Sequence, residues 1–382
     1  MRILTIRDFC YISDGNYSSK YPRSDEFVSV GIPFIRANNL VNGTVVPDDM
    51  YYISPDKHAE LRKGHLQEGD VLITTRGNIG QTAIVPEKFH DANINAQIVL
   101  LRVDRNIAIP QYLAYALHSE SVEDQIRRST TGTALKQLPV GKLENIKVKI
   151  HPYSEQQRIV IVMHQVDELI YARRKQLAKL DQLVKSRFVE LFGLPVSNSK
   201  GWNTEKMREV APAVNYSGGF EDTVWLLNLD MVEAQTGRIL DYLYVNEEEV
   251  GNSTCTFDTT NVLYSKLRPY LNKVVIPDRC GYATSELIPL KPNPMKLERT
   301  YLAFMLRSDE FVNMINEKVA GAKMPRVSMS DFREFDVPVP PMELQKRFDA
   351  FVKQTDKSKL AIQQSLDKLE LLKKSLMQEY FG

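Results

Sequence analysis

The sequence predicts an α+β molecule: two globular mixed α/β domains separated by two long helices that form an antiparallel coiled coil, with pseudo-twofold symmetry. Three observations predict it. The 382-residue chain repeats itself in one register. Each copy ends in a long amphipathic pattern. Each also carries a matching strand–turn–strand block ahead of that pattern.

The repeat comes first because it fixes the domain count. Shifted by 189 residues, Gly132 falls on Gly321, Pro152 on Pro341, Gln156 on Gln345, Arg158 on Arg347 and Phe192-Gly193 on Phe381-Gly382. Tyr112-Leu113 meets Tyr301-Leu302, and Ser119 meets Ser308. At an offset of 191, VLITTRGNIGQTAIVP (Val71 to Pro86) overlays VLYSKLRPYLNKVVIP (Val262 to Pro277). Segments between these blocks barely align, so a scaffold is duplicated and its loops have diverged. The period is too long for a solenoid. Two copies suit a molecule that reads two half-sites.

The long helices are justified by periodicity. Ser154 is placed as an N-cap, with Gln157 completing a capping box. Ile159, Val162, Val166, Leu169, Leu177, Leu180, Val184 and Leu191 follow at threes and fours, interrupted at Arg173, and Gly193 closes the helix. The second copy runs through Phe348, Phe351, Thr355, Ile362, Leu366, Leu369, Leu376 and Tyr380. Each spans about 38 residues, roughly 57 Å, and one apolar stripe of that length needs a partner. Arg173, Arg174, Lys175, Lys373 and Lys374 read mostly as a solvated face. The domain limits that follow are 1–153, 154–193, 194–342 and 343–382.

In the globular parts, Val71 to Thr74, Thr82 to Val85 and Ile98 to Val103 read as strands, and Pro110 to Arg128 as a helix. Val262 to Ser265, Val274 to Ile276, Leu287 to Leu290 and a helix near Arg299 to Lys318 repeat them. Three polar clusters are candidates for DNA contact. The first is the hairpin turn, with Arg76 and Asn78 in one copy and Lys266, Arg268 and Lys273 in the other. Basic turns shaped by glycine or proline suit phosphate positioning, though an ordinary turn with an exposed arginine reads the same way. The second is Arg36, Asn38 and Asn39, against Asn228 in the second copy. Arginine reads guanine and asparagine reads adenine, while an Asn-rich turn closing a strand is the plainer account. The third is Thr130 to Gln137 with Lys136, against Ala320 to Arg326 with Lys323 and Arg326.

Composition limits the function. The chain is 43% hydrophobic and 25% charged, and no window approaches a membrane span. Its N-terminus lacks a signal peptide's apolar region. Cys10, Cys255 and Cys280 fit a reduced cytoplasm, with no CxxC pattern. Net charge is only +1, modest for a nucleic-acid binder. No GxxxxGK[ST], GxSxG or HExxH is present, and the six histidines form no ligand pair and read as surface or partly buried residues. No catalytic centre, metal site or cofactor site is expected in the chain.

His151-Pro152-Tyr153-Ser154-Glu155-Gln156-Gln157-Arg158-Ile159 resembles the proline-x-x-E-Q-Q-R-I signature of specificity subunits of type I restriction-modification systems. Pro340 to Arg347 is its weaker second copy, with Leu344 and Lys346 departing from it. Gly69-Asp70-Val71-Leu72 with Arg76-Gly77, and Asn261 to Lys273, resemble that family's two recognition domains. The resemblance spans essentially the whole chain. It implies a subunit that binds double-stranded DNA at a bipartite, asymmetric target. It also implies two methyltransferase subunits that carry S-adenosylmethionine and methylate adenine, with restriction subunits that translocate DNA joining them. The competing reading is a coiled-coil scaffolding protein with two ligand-binding lobes. A methyltransferase gene beside this one would favour DNA recognition.

Overall fold

The computed structural model describes residues 1–15, 19–133, 135–220, 222–320 and 324–382. It divides into two compact units, Met1–Ala172 with Ser365–Gly382, and Arg173–Gln364. Each unit therefore holds one globular lobe, the start of the long helix that follows it, and the end of the other long helix. The boundaries read from sequence lie at helix ends, whereas the compact units divide both helices near their middles.

In the first unit, Val71–Thr74, Thr82–Ile84 and Ile98–Val103 are strands of one sheet, paired as Leu72↔Ala83 and Leu100↔Leu72. The sheet is covered on both faces, which is why its strands read as continuous apolar runs. Val71, Ile73, Val99 and Leu101 pack toward Tyr112 and Leu113, while Leu72, Ala83, Ile98 and Leu100 pack toward Ile35, Val45 and Phe89. The helical stretch after the sheet is two helices, Pro110–Leu117 and Glu120–Ser129, where one was expected. The break is chemical: the Ser119 side chain accepts from the Val122 N–H and caps a new helix. Ser308 does the same for Phe311, between Arg299–Arg307 and Asp309–Glu317.

The second unit repeats this plan with Val262–Ser265 between Val274–Val275 and Leu287–Leu290. The repeat also extends into segments whose sequences barely align. In the first unit, Ile32–Ile35 lies between parallel Asn93–Ile94 and antiparallel Tyr51–Ile53. In the second, Thr223–Leu227 lies between parallel Gly281–Thr284 and antiparallel Leu243–Asn246. Divergence there has changed side chains and loops while leaving these three strands in order, though the fourth strand joins Tyr51–Ile53 in the first unit and Gly281–Thr284 in the second.

The long helices are Tyr153–Phe192 and Met342–Phe381. The first begins at Tyr153, so Ser154 lies inside its first turn and is not the cap. Within each unit the two helices run antiparallel. In the first, Lys373 Nζ lies 2.6 Å from Asp167 and Lys149 donates to the terminal Gly382 carbonyl. In the second, Lys359 pairs with Asp181 at 2.6 Å and Phe188 packs on Phe348 with centroids 5.5 Å apart. The buried seam is Ile159, Met163, Val166, Ile170, Val184 and Phe188. Leu169, expected in it, is 49% exposed. Arg173 does not interrupt the stripe: it is half-buried at the spacing that links Val166 to Leu180, and it donates to Gln176. Lys373, read as solvated, is an ion-pairing member of the interface. Each helix ends in a lobe core: Phe381 packs on Tyr112 and Phe192 on Tyr301, with centroids 5.2 and 4.8 Å apart.

His151 precedes the first long helix and hydrogen-bonds the Tyr112 hydroxyl at 2.8 Å. Burial, and next the Lys149 ammonium, push its pKa below the ordinary 6.5. A histidine depressed in the folded state contributes stability that is complete above its unfolded pKa and is lost as pH falls below it. The first unit is therefore expected to weaken as pH drops through about 6.5. Unfolding measured from about pH 7.5 to 5.5 should show a shallower loss for His151→Asn than for the parent. Equal slopes would remove His151 from this account.

Candidate nucleic-acid interface

The turn joining Val71–Thr74 to Thr82–Ile84 is fixed by backbone hydrogen bonds to two other loops. Thr75 N–H donates to Gln97 O at 2.7 Å, and Leu138 N–H donates to Thr75 O at 2.8 Å. Arg76 forms a β-bridge with Gln137, which itself pairs with Thr131. The same three links recur in the second unit. Lys266 N–H donates to Glu286 O at 3.0 Å, Val327 N–H to Lys266 O at 2.9 Å, and Leu267 bridges Arg326. Two of the three polar clusters, far apart in sequence, thus form one platform in each unit.

On the first platform, Asn78 and Lys136 are exposed and Arg76 is half-buried. Gly77, Gly80 and Gly132 all have positive φ, and a Cβ at Gly132 would collide with the Leu135 carbonyl. On the second platform the Gly77 position is taken by Arg268, which is exposed and keeps a left-handed φ of +48°. A non-glycine residue there costs about 1 kcal/mol or more, so a charged side chain is held at the tip against backbone preference. Lys266 is half-buried beside it. Lys323 lies outside the described residues.

Most other expected contact residues are engaged within their lobes. Asn39 is fully buried: its amide donates to Asp48 O at 2.7 Å and its oxygen accepts from Arg36 N–H at 2.9 Å. It closes a turn, so the base-reading role is withdrawn. Arg36 stacks over the Tyr51 ring, 3.5 Å from its centroid, and donates to the Asp49 carbonyl. Asn38, between them, is exposed. Asn228 is half-buried where a tight turn begins, and Lys273 Nζ donates to Leu229 O at 2.6 Å. Burial pushes the Lys273 pKa down, as fits an ammonium directed inward. Arg326 is exposed but held by Glu286 at 2.9 Å, and that hydrogen bond raises its pKa.

Two apolar residues within these loops also stand on the platforms, unmarked by the polar pattern of the sequence. Leu135 is 88% exposed and Met324, its counterpart at 189 residues, is 48% exposed. The repeat register would have shown an apolar side chain at the same loop position in both copies. His58 and His65 are seven residues apart in sequence but meet in space, with Asp91 beside them.

Residues 1–182 and 238–372 match the type I restriction modification DNA specificity domain family. The chain belongs to that family. Among relatives of this specificity chain is the type I restriction enzyme MjaIX specificity subunit of Methanocaldococcus jannaschii, 19% identical over 385 residues, covering 91% of this chain and 84% of the relative. The fold resembles that of a chain solved in work on complex assembly and conformational transition of the type I R-M system (TM-score 0.61, 17% identity, 99% and 97% of the two chains covered). It also resembles the type I restriction-modification S subunit from M. genitalium (TM-score 0.56, 15% identity, 100% and 96% covered). Among the described residues no helix is long and apolar enough to cross a membrane. The protein is a DNA-sequence specificity subunit of a restriction-modification complex.

Proposed function

We propose that each unit of this specificity subunit reads one half of a bipartite, asymmetric double-stranded DNA target. The carrying observation is the duplicated platform: identical backbone links hold the hairpin turn against the helix–strand loop in both units, while the side chains on top differ. A rigid repeated frame with different tips places two different readers in equivalent positions. In this reading Arg76, Lys136, Lys266 and Arg268 position phosphates, and Asn78, Leu135 and Met324 are candidates for base edges and thymine methyl groups. Asn38 and Arg326 stand at the margin of the set.

The partners in this reading are two methyltransferase subunits, which bring S-adenosylmethionine and methylate adenine in each half of the target. Restriction subunits that translocate DNA form a further layer. The specificity chain supplies recognition, and methyl transfer belongs to its partners. Near-neutral net charge is consistent with a DNA channel completed by other subunits.

The test is an exchange of the first lobe. Residues before Pro152 are replaced by those of a relative with another target, and host methylation is mapped. One half of the methylated motif should change and the other should persist. Loss of both halves in a complex that still assembles, or change in neither, would defeat the proposal.

A further inference from the structure

All six histidines precede residue 165, so the second lobe has none. Two of them converge on a carboxylate in the first lobe. His58 is buried on the short helix Pro55–Glu60, and His65 follows in the loop beyond it. Their rings lie 4.4 Å apart. His58 Nε2 is 3.3 Å from one oxygen of Asp91 and His65 Nδ1 is 3.7 Å from the other. One ligand atom from each of the three residues lies within 4.8 Å of the other two.

The other nitrogen of each ring is already engaged. His58 Nδ1 hydrogen-bonds Asn93 Oδ1, and His65 Nε2 hydrogen-bonds the Leu61 carbonyl. Asn93 is fully buried, and its amide nitrogen points to Lys63 O, which leaves its oxygen to the imidazole. Both partners are acceptors, so the ring protons belong on His58 Nδ1 and His65 Nε2. The inward nitrogens then present lone pairs to a carboxylate. Three acceptors thus face one point. Asp91 reaches this point from a left-handed backbone, with φ +62° and its N–H held by Leu66 O at 2.8 Å.

We propose that His58, His65 and Asp91 bind one divalent first-row metal ion, for which zinc is the fitting member, with water completing a tetrahedron. Two imidazoles and a carboxylate are a zinc ligand set. The outer hydrogen bonds to Asn93 and Leu61 are the kind that orient ligating histidines. The ion ties the Pro55–Glu60 helix to the Asp91–Ile94 segment and braces the first lobe only. The competing cation is a proton, which would turn one ring into an imidazolium paired with Asp91.

The test uses the full chain stripped with a chelator and dialysed. It is titrated with zinc chloride by calorimetry and with cobalt chloride by visible absorption. One ion per chain should bind, with the absorption of a four-coordinate cobalt site. Asp91→Asn keeps the shape and suits a positive φ, so it should fold, and it should weaken binding at least tenfold. His58→Ala and His65→Ala should abolish it. His90→Ala, exposed beside the site, should change nothing. No uptake of either ion overturns the proposal, as does uptake that survives all three ligand substitutions. So does a cluster that only takes up a proton, seen as imidazole resonances that titrate with pH and ignore zinc.

Discussion

Replacing Gln156 by leucine is expected to lower the stability of the first unit by about 3–5 kcal/mol. Gln156 is fully buried at the start of the first long helix. Its oxygen accepts from Ile109 N–H at 3.0 Å, and its NH2 donates to Ile107 O and His151 O at 2.9 Å each. Leucine nearly conserves the volume but strands one backbone donor and two acceptors, and a buried group left without its partner costs about 1–3 kcal/mol. Gln345 makes the same three bonds, from Glu298 N–H and to Lys296 O and Pro340 O, at 2.8–2.9 Å. Gln345→Leu should therefore weaken the second unit by a similar amount. Gln157 is exposed, and Gln157→Ala should stay within about 0.5 kcal/mol of the parent. Urea denaturation at unchanged m reads the difference. A loss below about 1 kcal/mol for Gln156→Leu would show that water or a shifted backbone replaces the glutamine.

This glutamine shows what the sequence made legible. Its recurrence at 189 residues marked it as part of a motif, but nothing in its local pattern separated it from Gln157 beside it. The separation is tertiary, because two of its three partners, Ile107 and Ile109, belong to another segment. The neighbouring motif behaves alike: Asp70 is buried and holds Arg102 with two bonds of 2.8 Å, a pairing 32 residues long that spacing alone does not reveal. Strands 71–74, 98–103, 262–265 and 287–290 were readable because burial on both faces writes an uninterrupted apolar run. The long helices were readable because one face alone is covered. Their seam was placed imperfectly because the aliphatic part of Arg173 and the ion-paired Lys359 and Lys373 occupy positions that a hydrophobic count rejects. Of the candidate contact residues, Asn39 had two readings in sequence for a definite reason. Asparagine suits base recognition and turn closure equally, and only its burial on the Asp48 carbonyl decides between them.

Removing three basic tips together should have the largest effect on DNA binding. In a complex assembled with its partner subunits, Lys136→Ala, Lys266→Ala and Arg268→Ala are expected to lower the salt slope by about three and the affinity roughly 10²–10³-fold at about 0.1 M salt. Each phosphate contact contributes about 0.9 to that slope through counterion release, and this contribution is independent of sequence. Target and scrambled duplexes should therefore lose affinity alike. Arg268 allows a sharper single test, because its backbone is left-handed where the first unit has Gly77. Arg268→Gly removes the charge and relieves a conformation that an L side chain adopts only at a cost, so the protein should be as stable as the parent or slightly more stable. The salt slope should still fall by about one. That combination separates a DNA-facing residue from a structural one, since a residue that merely closes the turn would gain or lose stability with no change in slope. An unchanged slope for Arg268→Gly and for the triple variant, in complexes shown to assemble, would return both loops to ordinary turns.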